Sequence, residues 1–305
     1  MIYDAGVWPA MVTPMTDSGR LNHTAARKLV DVYCDQQLGG LYILGSTGQG
    51  LLLSTEERQE FAATVVDAAA GRLPVFVHVG AMTTSEAVRL ALHAERIGAD
   101  AISAVGPVYY DLPMRAVFGH YRQISEACSL PLYIYQIDLV KKSLLDVCDY
   151  VGELLEIPTI AGMKITTGDL NQFGLIHGYA GDRLRLFSGH DEVFCHAALS
   201  GAVGAIGTFF GVFGPECSQV RRAFLGGDAS LAARFMIEFQ KMVRIALFRG
   251  GYRFVAEAIR QRYEIDVGVC RYPVGFVGER EDEGPWLELV ADWLERLPRL
   301  STRRD

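Results

Sequence analysis

Lys164 is the first residue in this chain whose type and setting point to chemistry. It stands in IAGMKITTGD, from Ile160 to Asp169, where Ile160, Met163 and Ile165 flank it in what reads as a short buried strand. Lysine is scarce: only Lys28, Lys141, Lys142, Lys164 and Lys241 occur, and the rest of the 29 cationic residues are arginine. Lys28 and Lys241 fall in helical patterns and Lys141 and Lys142 in a loop, so only Lys164 puts an ammonium into an apolar run. Burial disfavours the charged form of an amine and can lower its pKa by several units, which leaves a nucleophile able to attack a ketone. A lysine there can equally snorkel to a rim or pair with a carboxylate such as Asp191, so its neighbours decide the reading.

Other polar residues close apolar runs in the same way. In LGSTGQG, Gly45 and Gly48 permit tight turns, and Ser46 and Thr47 offer hydroxyls and amide N–H groups to a carboxylate or oxyanion; an ordinary glycine-rich turn would look the same. PLYIYQI carries Tyr133 and Tyr135, whose spacing of two puts both on one face. A phenol ending such a run serves as acid or base when its ionisation is assisted, and otherwise packs in a core. GPVYYDLP sets Tyr109 and Tyr110 in a loop, where packing at an interface is as natural as a role in a site. SGHDEVF brings His190, Asp191 and Glu192 together, and IGTFFG supplies Thr208. Adjacent carboxylates can bind metal, act as acid and base, accept hydrogen bonds from a polyol, or simply favour a helix N-terminus.

The elements that must position these residues are legible from periodicity. Short runs that are apolar throughout alternate with longer amphipathic segments: WPAMVTP before HTAARKLVDVYCDQQ, GLYILGS before STEERQEFAATVVDAAAG, and so on to AVGAIGTF before PECSQVRRAFLGG. Such runs suit parallel strands buried on both faces, with helices as the crossovers. Eight units by about residue 227 predict an α/β fold, a TIM (β/α)8 barrel over residues 1–227. Three helical patterns without strands follow, a C-terminal extension over residues 228–305. A doubly wound sheet is disfavoured, because no G-x-G-x-x-G turn follows the first strand. In a barrel the C-terminal ends of the strands share one mouth, where Lys164 and the polar residues of strands two, five, seven and eight converge.

Composition excludes several function classes. With 29 basic and 36 acidic residues the net charge is −7, and the basic residues are scattered, so the footprint of a nucleic-acid binder is missing. The opening MIYDAGVWPAMVTP has no basic start, and no run of eighteen apolar residues occurs, so neither a signal peptide nor a membrane span is expected. The six cysteines are widely spaced without C-x-x-C, which predicts free, mostly buried thiols in a reducing cytoplasm and no metal site.

Taken in order, G-S-T-G after the second strand, a tyrosine ending the fifth, K-x-[TS]-x-G-[DN]-L at the sixth, G-x-D-E after the seventh and G-[ST] in the eighth resemble the N-acetylneuraminate lyase and dihydrodipicolinate synthase superfamily. Its members are class I, Schiff-base aldolases on a TIM barrel with a C-terminal helical segment, and the resemblance covers essentially the whole chain. It implies that Lys164 forms an imine with C2 of a 2-keto acid, with no other cofactor, and that Tyr135 shuttles the proton on the reacting oxygen. Ser46 and Thr47 match the turn that binds the substrate carboxylate, with Gly48 beside them and Thr166 following the lysine. Tyr110 matches a tyrosine that reaches a neighbouring subunit, which implies an oligomer, usually a tetramer. Gly189, Asp191, Glu192 and Thr208 match contacts to the polyol tail of a sialic acid.

The lyase form is therefore implied, splitting an N-acylneuraminate into pyruvate and an N-acylmannosamine. An aldolase or dehydratase for another 2-keto-3-deoxy sugar acid, a synthase-like enzyme, and a non-catalytic barrel that binds a keto acid remain alternatives. Synthases usually carry arginine where this chain has Val140. Lyases usually read Y-N-I-P-A-L-[ST]-G where this chain reads YQIDLVKK, so the loop should take another path, with Lys141 or Lys142 adding charge near the mouth. Gln49 stands where a glutamate is common.

Overall fold

The computed structural model describes residues 6–107, 109–110, 112–137, 147–248, 250–275 and 284–302, so Val140, Lys141 and Lys142 lie outside the described residues. Eight strands run parallel: β1 (Val7–Pro9), β2 (Leu41–Ile43), β3 (Val75–His78), β4 (Ala101–Val105), β5 (Leu132–Ile137), β6 (Ile160–Thr166), β7 (Arg185–Ser188) and β8 (Gly204–Gly207). Their order is β1-β8-β7-β6-β5-β4-β3-β2. A bridge between Ala10 and Tyr42, with the Met11 N–H donating to the Tyr42 carbonyl at 2.9 Å, joins the two ends and closes the barrel.

Helices α1 (His23–Asp35), α2 (Thr55–Ala69), α3 (Thr84–Arg96), α4 (Met114–Ala127), α5 (Val147–Leu155), α6 (Asn171–Ala180), α7 (Phe194–Leu199) and α8 (Phe210–Leu225) follow the strands in turn. Local chemistry sets several of their starts. Asn22 accepts the Ala25 amide hydrogen at α1, Thr83 accepts that of Glu86 at α3, and Ser54 and Glu57 form a reciprocal capping box at α2. Each satisfies amides that the first helical turn leaves unpaired.

Inside the barrel, side chains stack in layers from alternate strands. Trp8, Phe76, Tyr133 and Phe187, from the odd strands, form an aromatic floor: ring centres lie 4.6 Å apart for Trp8 and Phe76, and 4.5 Å for Phe76 and Tyr133. Glycines make room for it. A Cβ on Gly40 would stand 2.2 Å from the Trp8 ring, and one on Gly162 would stand 2.5 Å from that of Tyr133. The next layer comes from even strands and contains Tyr42, Ser103, Lys164 and Ile206, with His78 and Tyr135 above it. The strand period of two thus places Tyr133 in the floor and Tyr135 at the mouth, on the same inward face.

Two elements differ from the sequence reading. DEVFCHAALSG is not one helix: Asp191–Val193 is a 3-10 turn, Val193 leaves helical geometry at φ −129 and ψ 16, and α7 is only six residues long. Helix α8 starts earlier than PECSQVRRAFLGG predicts and runs through Pro215 with a kink at Phe213. A proline removes one helical N–H and clashes with the preceding turn, so the helix bends there rather than beginning there.

Beyond the barrel, α9 (Ala229–Phe248), α10 (Gly251–Tyr263) and α11 (Gly284–Leu300) pack on α8 and on one another. Phe213 of α8 meets Phe239 of α9 at 6.4 Å, and the hydrophobic core runs without a break from barrel to extension. No helix among the described residues is long and apolar enough to cross a membrane. All six cysteines are free thiols. Cys128, Cys195 and Cys217 are buried and Cys34, Cys148 and Cys270 only partly so, a lower degree of burial than expected.

Candidate active site

Lys164 rises from the middle of β6 into the barrel, and its Nζ lies 4.4 Å from the centre of the Tyr42 ring and 4.3 Å from that of Tyr135. It is 4% exposed. Among the described residues no carboxylate forms an ion pair with it. Asp191 uses its two oxygens elsewhere: Oδ2 accepts the Thr208 amide hydrogen at 3.1 Å and Oδ1 that of Phe209 at 2.9 Å. Asp191 therefore braces the turn that leads into α8 rather than capping the helix that follows it in sequence.

Tyr135 is the register neighbour of Lys164 across β5 and β6. Burial by itself would push its phenol up, but the Lys164 ammonium and polar contacts from Ser46, Thr166 and Lys164 more than offset that, so the phenol titrates below its ordinary value. The Thr166 hydroxyl is buried and makes no hydrogen bond of regular geometry among the described residues. It faces Gly189, where a Cβ would come within 2.0 Å of Oγ1, so a side chain there would displace the Thr166 hydroxyl.

Ser46 and Thr47 stand on the turn after β2. Thr47 exchanges a hydroxyl hydrogen bond with Thr208 at 2.7 Å, which ties the turns after β2 and β8 together across the mouth. Tyr252 of α10 donates to the Ser46 carbonyl at 2.6 Å. Gly48 is not in the cleft: its carbonyl accepts from Thr13 at 2.6 Å, and its place is in the packing of the turn. Gln49 also faces away, with Oε1 accepting the Arg271 amide hydrogen at 2.8 Å. A change at Gln49 thus acts on how the segment after α10 is tied down, not on substrate.

Asp191 and Glu192 hold opposite electrostatic characters. Burial, with the neighbouring Glu192 charge, pushes the Asp191 carboxyl up to about 7 against the pull of its two amide donors and Lys164. Burial is the largest influence on Glu192 and would raise it, but the His190 hydrogen bond, a backbone hydrogen bond and the His190 charge together outweigh it and hold this carboxyl below its ordinary range. His190 Nδ1 lies 3.1 Å from Glu192 Oε1. Gly207 lets the Asp191 carboxylate approach, since a Cβ there would stand 2.2 Å from Oδ1.

These groups surround one cavity of about 200 Å³. Of the residues singled out in the sequence, Ser46, Thr47, Tyr135, Lys164, Thr166, Gly189, Asp191, Glu192 and Thr208 line it. Tyr110 does not line it: the residue is 65% exposed, packed edge-to-face on Tyr109 at 5.1 Å. Sequence reasoning missed Tyr42, because a period of two pairs residues of one strand and cannot say which face of β2 turns inward. It missed Val243, Leu247 and Tyr252 for a different reason. These wall residues belong to α9 and α10, and nothing local in their segments distinguishes them from ordinary helix positions. Among the described residues no group of three or more His, Cys, Asp or Glu side chains is arranged to hold a metal ion.

Comparison with known proteins gives concordant results. A sequence model of the Dihydrodipicolinate synthetase family matches residues 4–284. N-acetylneuraminate lyase from Escherichia coli (strain SMS-3-5 / SECEC) is 32% identical over 276 residues, which is 90% of this chain and 92% of that protein. Among solved structures, N-acetylneuraminate lyase from Mycoplasma synoviae has a TM-score of 0.87 at 28% identity, covering 96% of this chain and 97% of that one. The wild-type sialic acid aldolase of Ruminococcus gnavus has a TM-score of 0.92 at 24% identity over 98% and 99% of the two chains, a likeness of fold.

Proposed function

Because the chain belongs to the dihydrodipicolinate synthetase family, we propose that it is a class I aldolase that splits an N-acylneuraminate into pyruvate and an N-acylmannosamine through an imine on Lys164. The observation that carries this reading is the buried Lys164 amine, free of a carboxylate partner among the described residues and set beside a phenol whose proton is loosened by it. The relatives named as N-acetylneuraminate lyases support the choice of substrate class.

The proposed steps use the groups of this cleft. Lys164 Nζ adds to the C2 carbonyl of the 2-keto acid, and loss of water leaves a protonated imine. The electron pair of the C3–C4 bond flows into that imine while the C4 hydroxyl gives its proton to the Tyr135 oxygen, so an aldehyde departs and an enamine stays on the lysine. Protonation at C3 and hydrolysis release pyruvate and restore the amine. No metal or organic cofactor enters these steps.

Ser46 and Thr47 would hold the substrate carboxylate, and the Ser46 hydroxyl, beside Tyr135, would pass the phenol's proton onward. Thr166, with a hydroxyl that still lacks a regular partner, is suited to a polar atom of the substrate near the imine. Glu192, Thr208 and the backbone at Gly189 face the space where a polyol tail would extend from the lysine. Asp191 would act there mainly by fixing Thr208. Tyr110 is exposed and does not line the cleft of its own chain; we propose that the enzyme is a homotetramer in which Tyr110 reaches an adjacent site. The free cysteines suit a cytoplasmic location.

The departures in YQIDLVKK favour one second reading, the same Schiff-base chemistry on another 2-keto-3-deoxy sugar acid. A non-catalytic barrel would have no use for a buried amine beside a phenol of lowered proton affinity. Borohydride reduction in the presence of pyruvate, followed by peptide mass mapping, tests the mechanism: a reduced adduct on Lys164 is expected, and its absence would overturn every enzymatic reading. Pyruvate release across a panel of sialic acids and shorter 2-keto-3-deoxy acids then separates the two substrate classes.

A further inference from the structure

The nitrogen assigned to capture substrate is held by rings rather than by charge. The centroids of Tyr42 and Tyr135 are 6.2 Å apart with their planes at 79°, and Lys164 Nζ lies within 4.4 Å of both, so it sits in a right-angled corner of two phenols. Tyr135 is accounted for by proton transfer. Tyr42 is not, and its placement is built with care: its hydroxyl donates to the fully buried Ser103 Oγ at 3.0 Å. Gly45 opens the space for its ring, because a Cβ there would come within 2.5 Å of it. The first glycine of G-S-T-G is thus a packing requirement of Tyr42 as well as a turn.

Resting on the Schiff-base reading, we propose that Tyr42 is a catalytic platform whose ring face stabilises the positive charge of the protonated imine on the Lys164 nitrogen. A cation over an aromatic face is attracted by the ring quadrupole, most strongly where water is excluded. The attraction is only weakly directional, so it persists when the nitrogen becomes planar in the imine. A carboxylate there would clamp the ammonium as an ion pair and disfavour the free amine more strongly than a neutral ring does. The two phenols have divided the work: burial, with the nearby Tyr135, holds the Tyr42 phenol well above its ordinary range, whereas Tyr135 is drawn down. Tyr42 stays neutral while Tyr135 exchanges protons.

The test replaces Tyr42 in the full chain by phenylalanine (Tyr42→Phe), by a trifluorinated phenylalanine of the same shape but weaker quadrupole, and by leucine (Tyr42→Leu), with Phe76→Leu as a control in the aromatic floor. The readout is the pyruvate concentration that gives half-maximal borohydride trapping on Lys164, measured across pH. Tyr42→Phe should stay within about threefold of the wild type, and the fluorinated ring and Tyr42→Leu should weaken trapping progressively, up to about 30-fold, the ratio equivalent to a desolvated cation–π contact of about 2 kcal/mol. Phe76→Leu should melt earlier yet trap normally. Equal trapping by the phenylalanine and fluorinated variants, or an equal loss in Phe76→Leu, would overturn the platform. A wild-type protein that forms no adduct would overturn the Schiff-base reading itself.

Discussion

Gln240, on α9 outside the barrel, donates its side-chain amide to the backbone carbonyl of Glu192 at 2.9 Å. Val243 and Leu247 follow at spacings of three and seven, on the same helix face, and both line the cleft. The C-terminal extension therefore supplies part of the wall of a cleft whose lysine and phenol both come from strands.

Gln240→Leu should cost about one neutral hydrogen bond, or about 1 kcal/mol at the Glu192 backbone. On the proposed contact of Glu192 with the substrate tail, KM for a sialic acid should rise about fivefold. Turnover of a short 2-keto-3-deoxy acid should not change, and steady-state kinetics on both substrates checks the split.

Glu192→Gln tests the tail more directly. Its carboxyl is held below its ordinary range by His190 and a backbone hydrogen bond and lines the cleft, so replacing the charged acceptor should weaken long polyols about tenfold, the range of a hydrogen bond to a charged group. Pyruvate trapping on Lys164 should be unaltered. Unchanged sialic acid kinetics would count against the lyase reading.

Tyr135→Phe removes the proposed proton carrier and leaves the ring beside Lys164. We expect kcat to fall by about 10²- to 10⁴-fold while the pyruvate adduct on Lys164 still forms. Loss of trapping together with turnover would mean that Tyr135 acts in imine formation rather than in the carbon–carbon step.

Gly207→Ala should displace the Asp191 carboxylate, because the new Cβ would sit 2.2 Å from Oδ1 and the backbone there is a strand. Overpacking of this kind costs about 1–3 kcal/mol. The Thr208 and Phe209 amides would lose their acceptor as well, so chemical denaturation should show a lower midpoint and long substrates should bind less well.

Asp191 also predicts a pH dependence of stability. Its folded carboxyl is raised from 3.8 to about 7, so between those values the native state keeps a proton that the unfolded chain has released. Stability must therefore fall as pH rises from about 4 to about 7, by a few kcal/mol from this group, and level off above. Asp191→Asn should remove that slope while lowering stability overall, since its amide supplies one acceptor for two N–H donors. Urea midpoints at four pH values for both proteins decide it, and parallel slopes would refute the assignment.

Much of this was readable before any coordinates. Period and composition alone determined the barrel: runs apolar on both faces become parallel strands, eight of them close, and closure forces the strand ends into one mouth, where Lys164, Tyr135, Thr208 and Glu192 meet. What sequence order could not supply was contact between distant segments. Tyr42 reaches Lys164, and Tyr252 the Ser46 carbonyl, only because strands and helices far apart in the chain are folded against each other. The same reason moved Asp191 from the start of its own helix to the amides before α8, and turned Gln49 out of the site and toward Arg271. Local patterns record how each residue meets its near neighbours along the chain. The balance that leaves one phenol neutral and draws down another is set across the barrel, where only tertiary packing puts a ring, a hydroxyl and an ammonium within reach.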